Sequence, residues 1–346
     1  MAKLVVTGGA GFLGYHICNH LKNKFDEFLV IDIDKFYSDE YPKNTKYLKL
    51  DIRDYENLKT ALKGYDLIVH GAAALPLWKP KDIWTVNVDG TKNVLNAAIE
   101  NNIKRVVFIS STAVYGVPKK HPIYEDDPLI GVGPYGESKI AAEKVCEEYR
   151  KKGLLVPVIR PKTFIGTGRL GVFQILFDWV ECNKKIPVIG NGKNRYQLLE
   201  VTDLVNAIYL TLTLPEEKAN DTFNVGAKNT KPIIEYLTEF FQRVGSKSKV
   251  LKTPAGLVIF LLEIFWALRV SPLYKWVYGT AHKDSFVSIE KAEKKLGWTP
   301  KFTEADALVN AFNWYKEHKS EVAGASGITH RVAWKQGVLG LIKKLM

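Results

Sequence analysis

The sequence predicts an α/β protein in which a doubly wound parallel sheet is followed by a smaller, mixed α/β C-terminal lobe. Short apolar runs alternate with longer amphipathic runs through the first half of the chain, which is typical of strand and helix units around a parallel sheet. This alternation becomes irregular from about residue 163. The chain has 346 residues, enough to bury the core of one large domain and of an appended lobe.

Each element is predicted from its own segment. Apolar runs predict strands at residues 3–7, 27–32, 46–51, 67–71, 105–110 and 155–160. Amphipathic runs between them predict helices at residues 11–23, 55–63, 83–101 and 135–152. Helices of the second lobe are predicted at residues 173–183, 201–212, 233–244 and 304–318. We therefore expect a first domain at residues 1–162, a lobe interleaved with it at residues 163–323, and an amphipathic tail at residues 324–346.

Composition limits the partners of the chain. Its 49 Lys and Arg exceed its 37 Asp and Glu, which gives a net charge of +12. The lysines occur in scattered pairs such as Lys119-Lys120, so we expect attraction to anionic ligands or surfaces and no nucleic-acid partner. Cys18, Cys146 and Cys182 lack metal-ligand spacing, which predicts a reducing compartment and no metal site. The N-terminus runs directly into the first strand without room for a signal peptide, so a cytoplasmic protein is expected.

A glycine-rich turn joins the first predicted strand to the first predicted helix. Gly8, Gly11 and Gly14 have the spacing of a Rossmann turn. The first glycine allows the tight turn, the second lets backbone approach a pyrophosphate, and the third lets the helix pack close to the strand. Phe12 and Leu13 begin the helix, whose N-terminus attracts the pyrophosphate. The sequence therefore predicts a dinucleotide site at this turn.

An acidic residue ends the second predicted strand. Asp32 lies eighteen residues beyond Gly14, where a carboxylate can accept hydrogen bonds from both hydroxyls of an adenosine ribose. The same carboxylate would repel a 2′-phosphate. We therefore expect NAD rather than NADP as the cofactor, with Lys35 nearby weakening the preference.

A tyrosine and a lysine at the start of the fourth predicted helix suggest proton chemistry. Tyr135 and Lys139 are four residues apart, so their side chains share one helix face. An ammonium beside a phenol lowers the pKa of the phenol toward neutrality, and such a tyrosine can exchange a proton with a carbinol. Ser110 and Ser111 end the fifth predicted strand, at the same edge of the sheet.

Three motifs follow one another along the chain: the glycine turn, the serine pair and the Tyr135/Lys139 pair. This arrangement resembles that of the extended short-chain dehydrogenase/reductases, the NAD-dependent epimerase/dehydratase family. The resemblance covers the chain to about residue 318. It implies an enzyme that moves a hydride reversibly between NAD and a small-molecule secondary alcohol or ketone. It also implies a homodimer formed through the helices at residues 83–101 and 135–152.

The resemblance assigns further residues to a site. Implied catalytic residues are Ser111, which holds the reacting oxygen, Tyr135, which moves the proton, and Lys139, which tunes Tyr135 and holds the nicotinamide ribose. Besides the glycine turn, Asp32, Tyr135 and Lys139, the implied contacts with NAD are Asp51, Ile52, Gly71, Ala72, Ala73, Asn87, Ser110 and Pro161. The implied contacts with the substrate are Ser111, Thr112, Thr163 and Arg195.

The residues after Ser111 bear on the reaction type. Dehydratases of this family carry Asp-Glu there, because loss of water needs an extra acid and base, whereas this chain has Thr112-Ala113. Dehydration is therefore disfavoured, and hydride transfer is expected alone or as half of an epimerisation. A non-catalytic NAD-binding sensor or scaffold is the alternative from another functional class. The intact Ser111, Tyr135 and Lys139 argue against that alternative.

Two substrate classes remain open. Residues 255–268 are apolar with one charge and resemble the 3β-hydroxysteroid dehydrogenase branch, which implies a lipid-like or sterol-like substrate as the main interpretation. A core helix is the alternative for this segment. A nucleotide-sugar 4-epimerase is the alternative function. Against it, Lys162-Thr163 replaces the usual Phe-Asn, and Tyr196 stands where such epimerases place an arginine, with Arg195 one residue early.

The last segment of the chain has an amphipathic pattern. Residues 330–346 place apolar side chains at helical spacing beside Arg and Lys. We expect a helix that holds the enzyme against an anionic membrane, in peripheral contact. A helix docked on the second lobe or on a partner subunit is the alternative.

Overall fold

The chain forms two compact units, each made from separate stretches of sequence. The computed structural model describes residues 2–76, 78–267, 275–322 and 343. The first unit comprises Met1–Lys162, Val201–Gly226 and Val287–Thr299, and the second comprises Thr163–Glu200, Ala227–Phe286 and Pro300–Met346. The sequence interpretation counted residues 201–226 and 287–299 with the second lobe. They pack in the first unit because a strand at residues 222–225 extends its sheet.

The described residues form the following elements. The strands are β1 (Lys3–Thr7), β2 (Glu27–Asp32), β3 (Thr45–Lys49), β4 (Leu67–His70), β5 (Arg105–Ile109), β6 (Val158–Pro161), β7 (Thr163–Ile165), β8 (Ile186–Ile189), β9 (Leu198–Glu200), β10 (Thr222–Val225) and β11 (Val250–Thr253). The helices are α1 (Phe12–His20), α2 (Tyr55–Ala61), α3 (Pro80–Trp84), α4 (Thr91–Glu100), α5 (Gly133–Lys151), α6 (Val172–Glu181), α7 (Val201–Thr213), α8 (Glu216–Ala219), α9 (Ile233–Arg243), α10 (Ala255–Ala267), α11 (Lys275–Thr280), α12 (Glu290–Leu296) and α13 (Glu304–Val322).

The first unit is built on a seven-stranded parallel sheet in the order β10-β6-β5-β4-β1-β2-β3. All four residues of β4 and all five of β5 are buried, because helices cover both faces of these central strands. This is the Rossmann-like α/β fold that the sequence predicts. The strand order changes direction between β1 and β4, and such a switch point opens a ligand crevice at the carboxyl ends of the strands.

The helix predicted at residues 83–101 is interrupted in the structure. It comprises α3, one wide π-helical turn at Thr85–Gly90, and α4. The Thr91 hydroxyl donates to the carbonyl oxygen of Asn87 at 2.7 Å within this stretch. A Cβ on Gly90 would lie 2.5 Å from Ile52 Cδ1, so a side chain at this position would force Ile52 to shift.

The second unit contains two short parallel strand pairs, β7 with β9 and β8 with β11. Its core is aromatic and joins α6, α9 and α13. The ring centroid of Phe177 lies 6.3 Å from that of Phe240, 5.9 Å from that of Phe312 and 5.8 Å from that of Tyr315. Such edge-on and tilted contacts add to the stabilisation from burial of the rings.

The two apolar segments singled out in the sequence differ in what the structure shows. Residues 255–267 form α10, which leaves large apolar side chains exposed and is therefore not a core helix. Residues 330–346 lie outside the described residues except Lys343, whose Nζ is 2.5 Å from Asp178 Oδ2 in α6. Among the helices that the structure describes, none is long and apolar enough to cross a membrane.

Candidate active site

The glycine turn after β1 leaves no room for side chains. Gly8 has a φ of +71°, and a Cβ on it would lie 2.7 Å from the amide nitrogen of Ala72. A Cβ on Gly14 would lie 2.3 Å from the Cα of Gly9. Phe12 begins α1 and is buried, whereas Gly11 and Leu13 are partly exposed beside it. The turn therefore presents backbone, at the positive end of a helix, to any ligand above β1.

Asp32 is held against this turn. Its Oδ2 accepts a hydrogen bond from the amide of Ala10 at 3.0 Å, and its Oδ1 accepts from the amides of Ile33 at 2.7 Å and Asp34 at 3.1 Å. Burial raises the pKa of Asp32, and these backbone hydrogen bonds oppose the shift. The carboxylate thus lies at the end of β2, directly beside the glycine turn, as the sequence predicts for a ribose ligand.

The predicted adenine contacts lie at the end of β3. The Asp51 carboxylate pairs with Arg53, whose Nη2 is 2.6 Å from Oδ2, and this hydrogen bond lowers the pKa of Asp51. Arg53 Nη1 also lies 3.7 Å from Asp82 Oδ1. Ile52 is buried against Gly90. Asp51 is therefore already neutralised by a neighbouring arginine.

The loop after β4, which contains Gly71, Ala72 and Ala73, is held at its end by Asn87. The Asn87 side chain accepts a hydrogen bond from the amide of Ala74 at 2.8 Å and donates to its carbonyl oxygen at 3.3 Å. It also donates to Ser138 Oγ at 3.0 Å. Asn87 therefore orients the loop.

A second set of hydrogen bonds passes through His70. Its Nδ1 lies 2.7 Å from Thr7 Oγ1, and its Nε2 lies 3.0 Å from Thr91 Oγ1. Because the Thr91 hydroxyl donates to the carbonyl oxygen of Asn87, it must accept from Nε2–H of the imidazole. Burial lowers the pKa of His70 to about 3, with a smaller contribution from the charge of Lys139. His70 is thus a neutral structural residue between β1, β4 and α4.

Ser110 and Ser111 point to different partners. The Ser110 hydroxyl donates a short hydrogen bond to Glu143, so any contact of Ser110 with a cofactor would come from its backbone. Ser111 Oγ accepts a hydrogen bond from the amide of Ala113 at 3.1 Å and also bonds to Tyr135. The structure therefore brings Ser111, and not Ser110, to the phenol.

Tyr135 and Lys139 lie on successive turns of α5, but the structure corrects one expectation about them. Burial raises the pKa of Tyr135 to about 12, and the hydrogen bond with Ser111 opposes this shift. Lys139 Nζ donates to the carbonyl oxygen of Ile109 at 2.9 Å and lies 4.8 Å from the centre of the Phe108 ring. Its ammonium is thus directed to β5, and it does not lower the pKa of Tyr135. Burial lowers the pKa of Lys139 itself to about 8.

A buried ion pair behind these residues was missed by sequence reasoning. Glu143 lies one turn beyond Lys139, and Glu143 Oε2 is 2.5 Å from Arg160 Nη2. Arg160 Nη1 donates to the Tyr115 hydroxyl at 2.7 Å, and that hydroxyl donates to Asn224 Oδ1 at 2.7 Å. The spacing of Glu143 from Lys139 was the available signal, because it places both on the inner face of one helix.

The predicted substrate contacts are divided between the two units. In the first unit, the Thr112 hydroxyl donates to the carbonyl oxygen of Pro161 at 3.3 Å, at the end of β6. In the second unit, the hydroxyls of Thr163 and Tyr196 are 3.1 Å apart. Arg195 is exposed there, with its guanidinium 5.6 Å from the centre of the Phe286 ring. Tyr196 thus serves as a partner of Thr163 in the second unit.

Comparison with known proteins agrees with this geometry. The chain is 33% identical to the uncharacterized protein y4nG of Sinorhizobium fredii, over 98% of this chain and 85% of that protein. It is 29% identical to a UDP-glucose 4-epimerase of Halalkalibacterium halodurans, over 91% of this chain and 96% of the relative. The crystal structure of UDP-glucose 4-epimerase from Thermotoga maritima with UDP-glucose shares the fold, with a TM-score of 0.76 at 22% identity over 92% and 99% of the two chains.

A family model agrees with these relatives. The model of the NAD dependent epimerase/dehydratase family matches residues 4–226, which include the parallel sheet except Lys3 and the whole Tyr135 helix. Since this match spans more than half of the sequence, the chain is an enzyme of the NAD dependent epimerase/dehydratase family.

Proposed function

We propose that the chain is an NAD-dependent epimerase that inverts a secondary alcohol of a nucleotide sugar, most simply at C4 of the sugar. The observation that carries the proposal is the contact between Ser111 and Tyr135, beside Lys139, at the carboxyl end of β5. The relatives support a nucleotide sugar more than the lipid-like or sterol-like substrate, because several are UDP-glucose 4-epimerases that match about nine tenths of this chain.

The residues of the first unit fit NAD. The glycine turn would bind the pyrophosphate through its backbone amides at the N-terminus of α1. Side chains are excluded at Gly8 and Gly14, because a Cβ on either would collide with backbone atoms. Asp32 would hold the adenosine ribose hydroxyls, and it would repel the 2′-phosphate of NADP. The loop oriented by Asn87 would lie along the cofactor. NAD, when bound, supplies a nicotinamide ring that accepts and returns the hydride.

Three side chains would move and hold the proton. Tyr135 Oη takes the proton from the sugar hydroxyl, and Ser111 Oγ keeps the reacting oxygen in place. Tyr135 is a poor base while the pKa of its phenol is about 12, so a nearby positive charge is needed before it loses its proton. Lys139 stays mostly protonated at pH 7, with a pKa of about 8, and it would supply this charge by turning from the carbonyl oxygen of Ile109 toward the phenol.

Two observations bear on the substrate. Lys162 is buried at the end of β6, where nucleotide-sugar enzymes often carry an apolar residue, and burial lowers its pKa to about 7. Arg195 remains exposed one residue before Tyr196, and it can serve as the phosphate ligand that Tyr196 cannot provide. Thr112-Ala113 provides no additional acid for loss of water, so we propose epimerisation and not dehydration. One relative is nevertheless a dTDP-D-glucose 4,6-dehydratase, from mouse.

A substrate panel tests the proposal. Purified protein with NAD is incubated with UDP-glucose, other nucleotide sugars and a set of sterols, and products are separated by ion-exchange chromatography and identified by NMR. We expect a C4 epimer from one of the nucleotide sugars. Tyr135→Phe should lower the rate by more than tenfold, a barrier increase of at least about 1.4 kcal/mol, while NAD still binds.

A tyrosine on the same helix provides the control. Tyr149 lies fourteen residues further along α5, and its hydroxyl bonds to Asn96. Tyr149→Phe should keep the parent rate, because this hydroxyl is remote from Ser111. Oxidation of a sterol without conversion of any nucleotide sugar would contradict the proposed substrate class. Equal rates for the two variants would contradict the role of Tyr135.

The homodimer implied by the resemblance is also part of the proposal. Trp84 of α3 and Ile99 of α4 are exposed large apolar residues within the predicted contact helix at residues 83–101. Burial of such side chains in a symmetric interface would stabilise a dimer. Light scattering should therefore give twice the 39.0 kDa mass of one chain.

A further inference from the structure

One face of α10 is apolar and uncovered. Leu257 is 57%, Phe260 62%, Leu261 41% and Ile264 40% exposed. These four residues, which we call the α10 face, recur at spacings of three and four and so lie on one side of the helix. Leu262, on the other side, is 7% exposed. A contiguous exposed patch of large apolar side chains marks a site of interaction.

The unit that contains α10 carries most of the positive charge of the chain. Its three stretches contain 21 Lys and Arg against 11 Asp and Glu, whereas those of the first unit contain 28 against 26. The second unit therefore has a net charge of +10, out of +12 for the whole chain. A strong excess of one sign attracts an oppositely charged surface and repels a second copy of the same unit.

Exposed lysines surround the beginning of α10. Lys252 lies in β11, three residues before the helix. The backbone of Gly190 pairs with that of Thr253, which brings the loop containing Lys193 to the same place. Asn194 Nδ2, in the same loop, donates to the carbonyl oxygen of Lys283 at 2.9 Å, so the backbone of this third exposed lysine lies beside the loop. Three exposed lysines thus lie in segments next to the N-terminal end of α10.

We propose that the α10 face and these three lysines seat the second unit on an anionic phospholipid surface. Apolar side chains on one helix face enter the boundary between head groups and acyl chains, and adjacent lysines contact the phosphates. α10 has thirteen residues, which suits a helix lying in the plane of the membrane. The lysine cluster and the charge of +10 favour this occupant over a second copy, whose like charge would oppose association.

Vesicle flotation tests the proposal with the full-length protein. Vesicles of phosphatidylcholine alone are compared with vesicles that contain 30 mol% phosphatidylglycerol, a proportion of about one anionic lipid in three. We expect the protein to float with the anionic vesicles at low salt and to be released at about 0.5 M NaCl, where the Debye length is only a few ångströms. The double variant Leu257→Gln, Phe260→Gln should lose at least tenfold in partition coefficient.

A second variant separates the electrostatic contribution. Lys193→Gln, Lys252→Gln and Lys283→Gln together should lower the partition coefficient about a hundredfold, since each lysine near an anionic surface contributes about 1 kcal/mol. The matched control is Ile130→Gln, which removes an equally exposed apolar side chain from the first unit, where Ile130 is 65% exposed. This control should float like the parent protein.

Several results would overturn the proposal. They are absence of flotation by the parent protein, flotation of the Leu257→Gln, Phe260→Gln variant at the parent level, and equal loss in the Ile130→Gln control. The parent protein could instead fail to float and form an oligomer that dissociates in the Leu257→Gln, Phe260→Gln variant. In that case a second copy covers the α10 face and the membrane assignment is wrong. Since flotation needs no substrate, its failure leaves the proposed epimerase activity untouched.

Discussion

Loss of the buried charge of Glu143 should destabilise the first unit by several kilocalories per mole. The Glu143 carboxylate accepts hydrogen bonds from Arg160 Nε at 2.9 and 3.2 Å, from Arg160 Nη2 at 2.5 Å and from the Ser110 hydroxyl. Glu143 and Arg160 are each only 5% exposed. In Glu143→Gln the Arg160 guanidinium would stay buried without its counter-charge. Because it is buried, water could not replace the lost attraction.

The magnitude follows from this burial. Removal of one partner of a buried ion pair costs about 3–5 kcal/mol, because the remaining ion keeps its desolvation penalty and loses the attraction. Arg160 would retain the Tyr115 hydroxyl at 2.7 Å and the carbonyl oxygen of Glu125 at 2.9 Å, neither of which carries a charge in these contacts. We therefore expect the free energy of unfolding to fall by about 4 kcal/mol for Glu143→Gln.

Urea unfolding followed by circular dichroism measures the effect. With a dependence of about 3 kcal/mol per molar urea, the midpoint should move down by about 1.3 M. The control is Glu147→Gln, one turn further along α5 at an exposed position, which should change stability by less than about 0.5 kcal/mol. The double variant Glu143→Leu, Arg160→Met should recover much of the loss, because it leaves no buried ion. Equal midpoints for Glu143→Gln and Glu147→Gln would refute the reasoning.

Two further predictions concern Asp32 and His70. The Asp32 carboxylate would accept hydrogen bonds from the ribose hydroxyls of NAD and repel a 2′-phosphate, so calorimetry should show NAD binding at least tenfold more tightly than NADP. Asp32→Ala should reduce this difference between the two dissociation constants. Equal dissociation constants in the parent protein would contradict the role of Asp32. The pKa of His70 is lowered to about 3, so the unfolded chain binds a proton between pH 6.5 and 3 that the folded chain does not. The free energy of unfolding should therefore fall as the pH falls through this range, by up to about 1.4 kcal/mol per pH unit. In urea titrations at several pH values, the free energy of unfolding of His70→Gln should depend less steeply on pH. Identical pH profiles would show that the ring is not kept neutral.

Much of the first unit can be predicted from the sequence because its signals are local. β1 and β2 begin and end where their apolar runs do. The glycine turn needs glycine at Gly8 because of its positive φ, and at Gly14 because a Cβ there would meet the backbone of Gly9. The placement of Asp32 beside the turn follows from the parallel pairing of β1 and β2, since neighbouring parallel strands end at the same edge of the sheet. Motif spacing and sheet geometry together sufficed for this part of the candidate site.

Other features depend on contacts between residues far apart in sequence. β10 is a short strand that is recognisable only through its pairing with β6, some sixty residues earlier. The π-helical turn at Thr85–Gly90, where Gly90 lies close to Ile52, is not revealed by any periodicity within the helix. The division of the chain into discontinuous units has the same origin. Tertiary pairing decides these features, and a single sequence does not display it.

The pKa of Tyr135 is the instructive difference between sequence and structure. Four-residue spacing places Lys139 on the same helix face, but it does not fix the direction of a long, flexible side chain. The nearby carbonyl oxygen of Ile109 and the ring of Phe108 draw the ammonium to β5, so burial dominates the environment of the phenol. A spacing argument could identify the pair of residues but could not predict its electrostatics.

The same contacts explain how the proposed site can be rigid before a substrate arrives. Glu143 and Arg160 join α5 to β6, Ser110 joins that pair to β5, and Lys139 is bonded to the last residue of β5. The helix that carries Tyr135 is thus connected to both β5 and β6. Groups fixed in this way lose little entropy when a sugar binds, and their hydrogen bonds need little reorganisation in the transition state. In the proposed mechanism, the buried ion pair would therefore act by positioning Tyr135, without itself touching the reacting atoms.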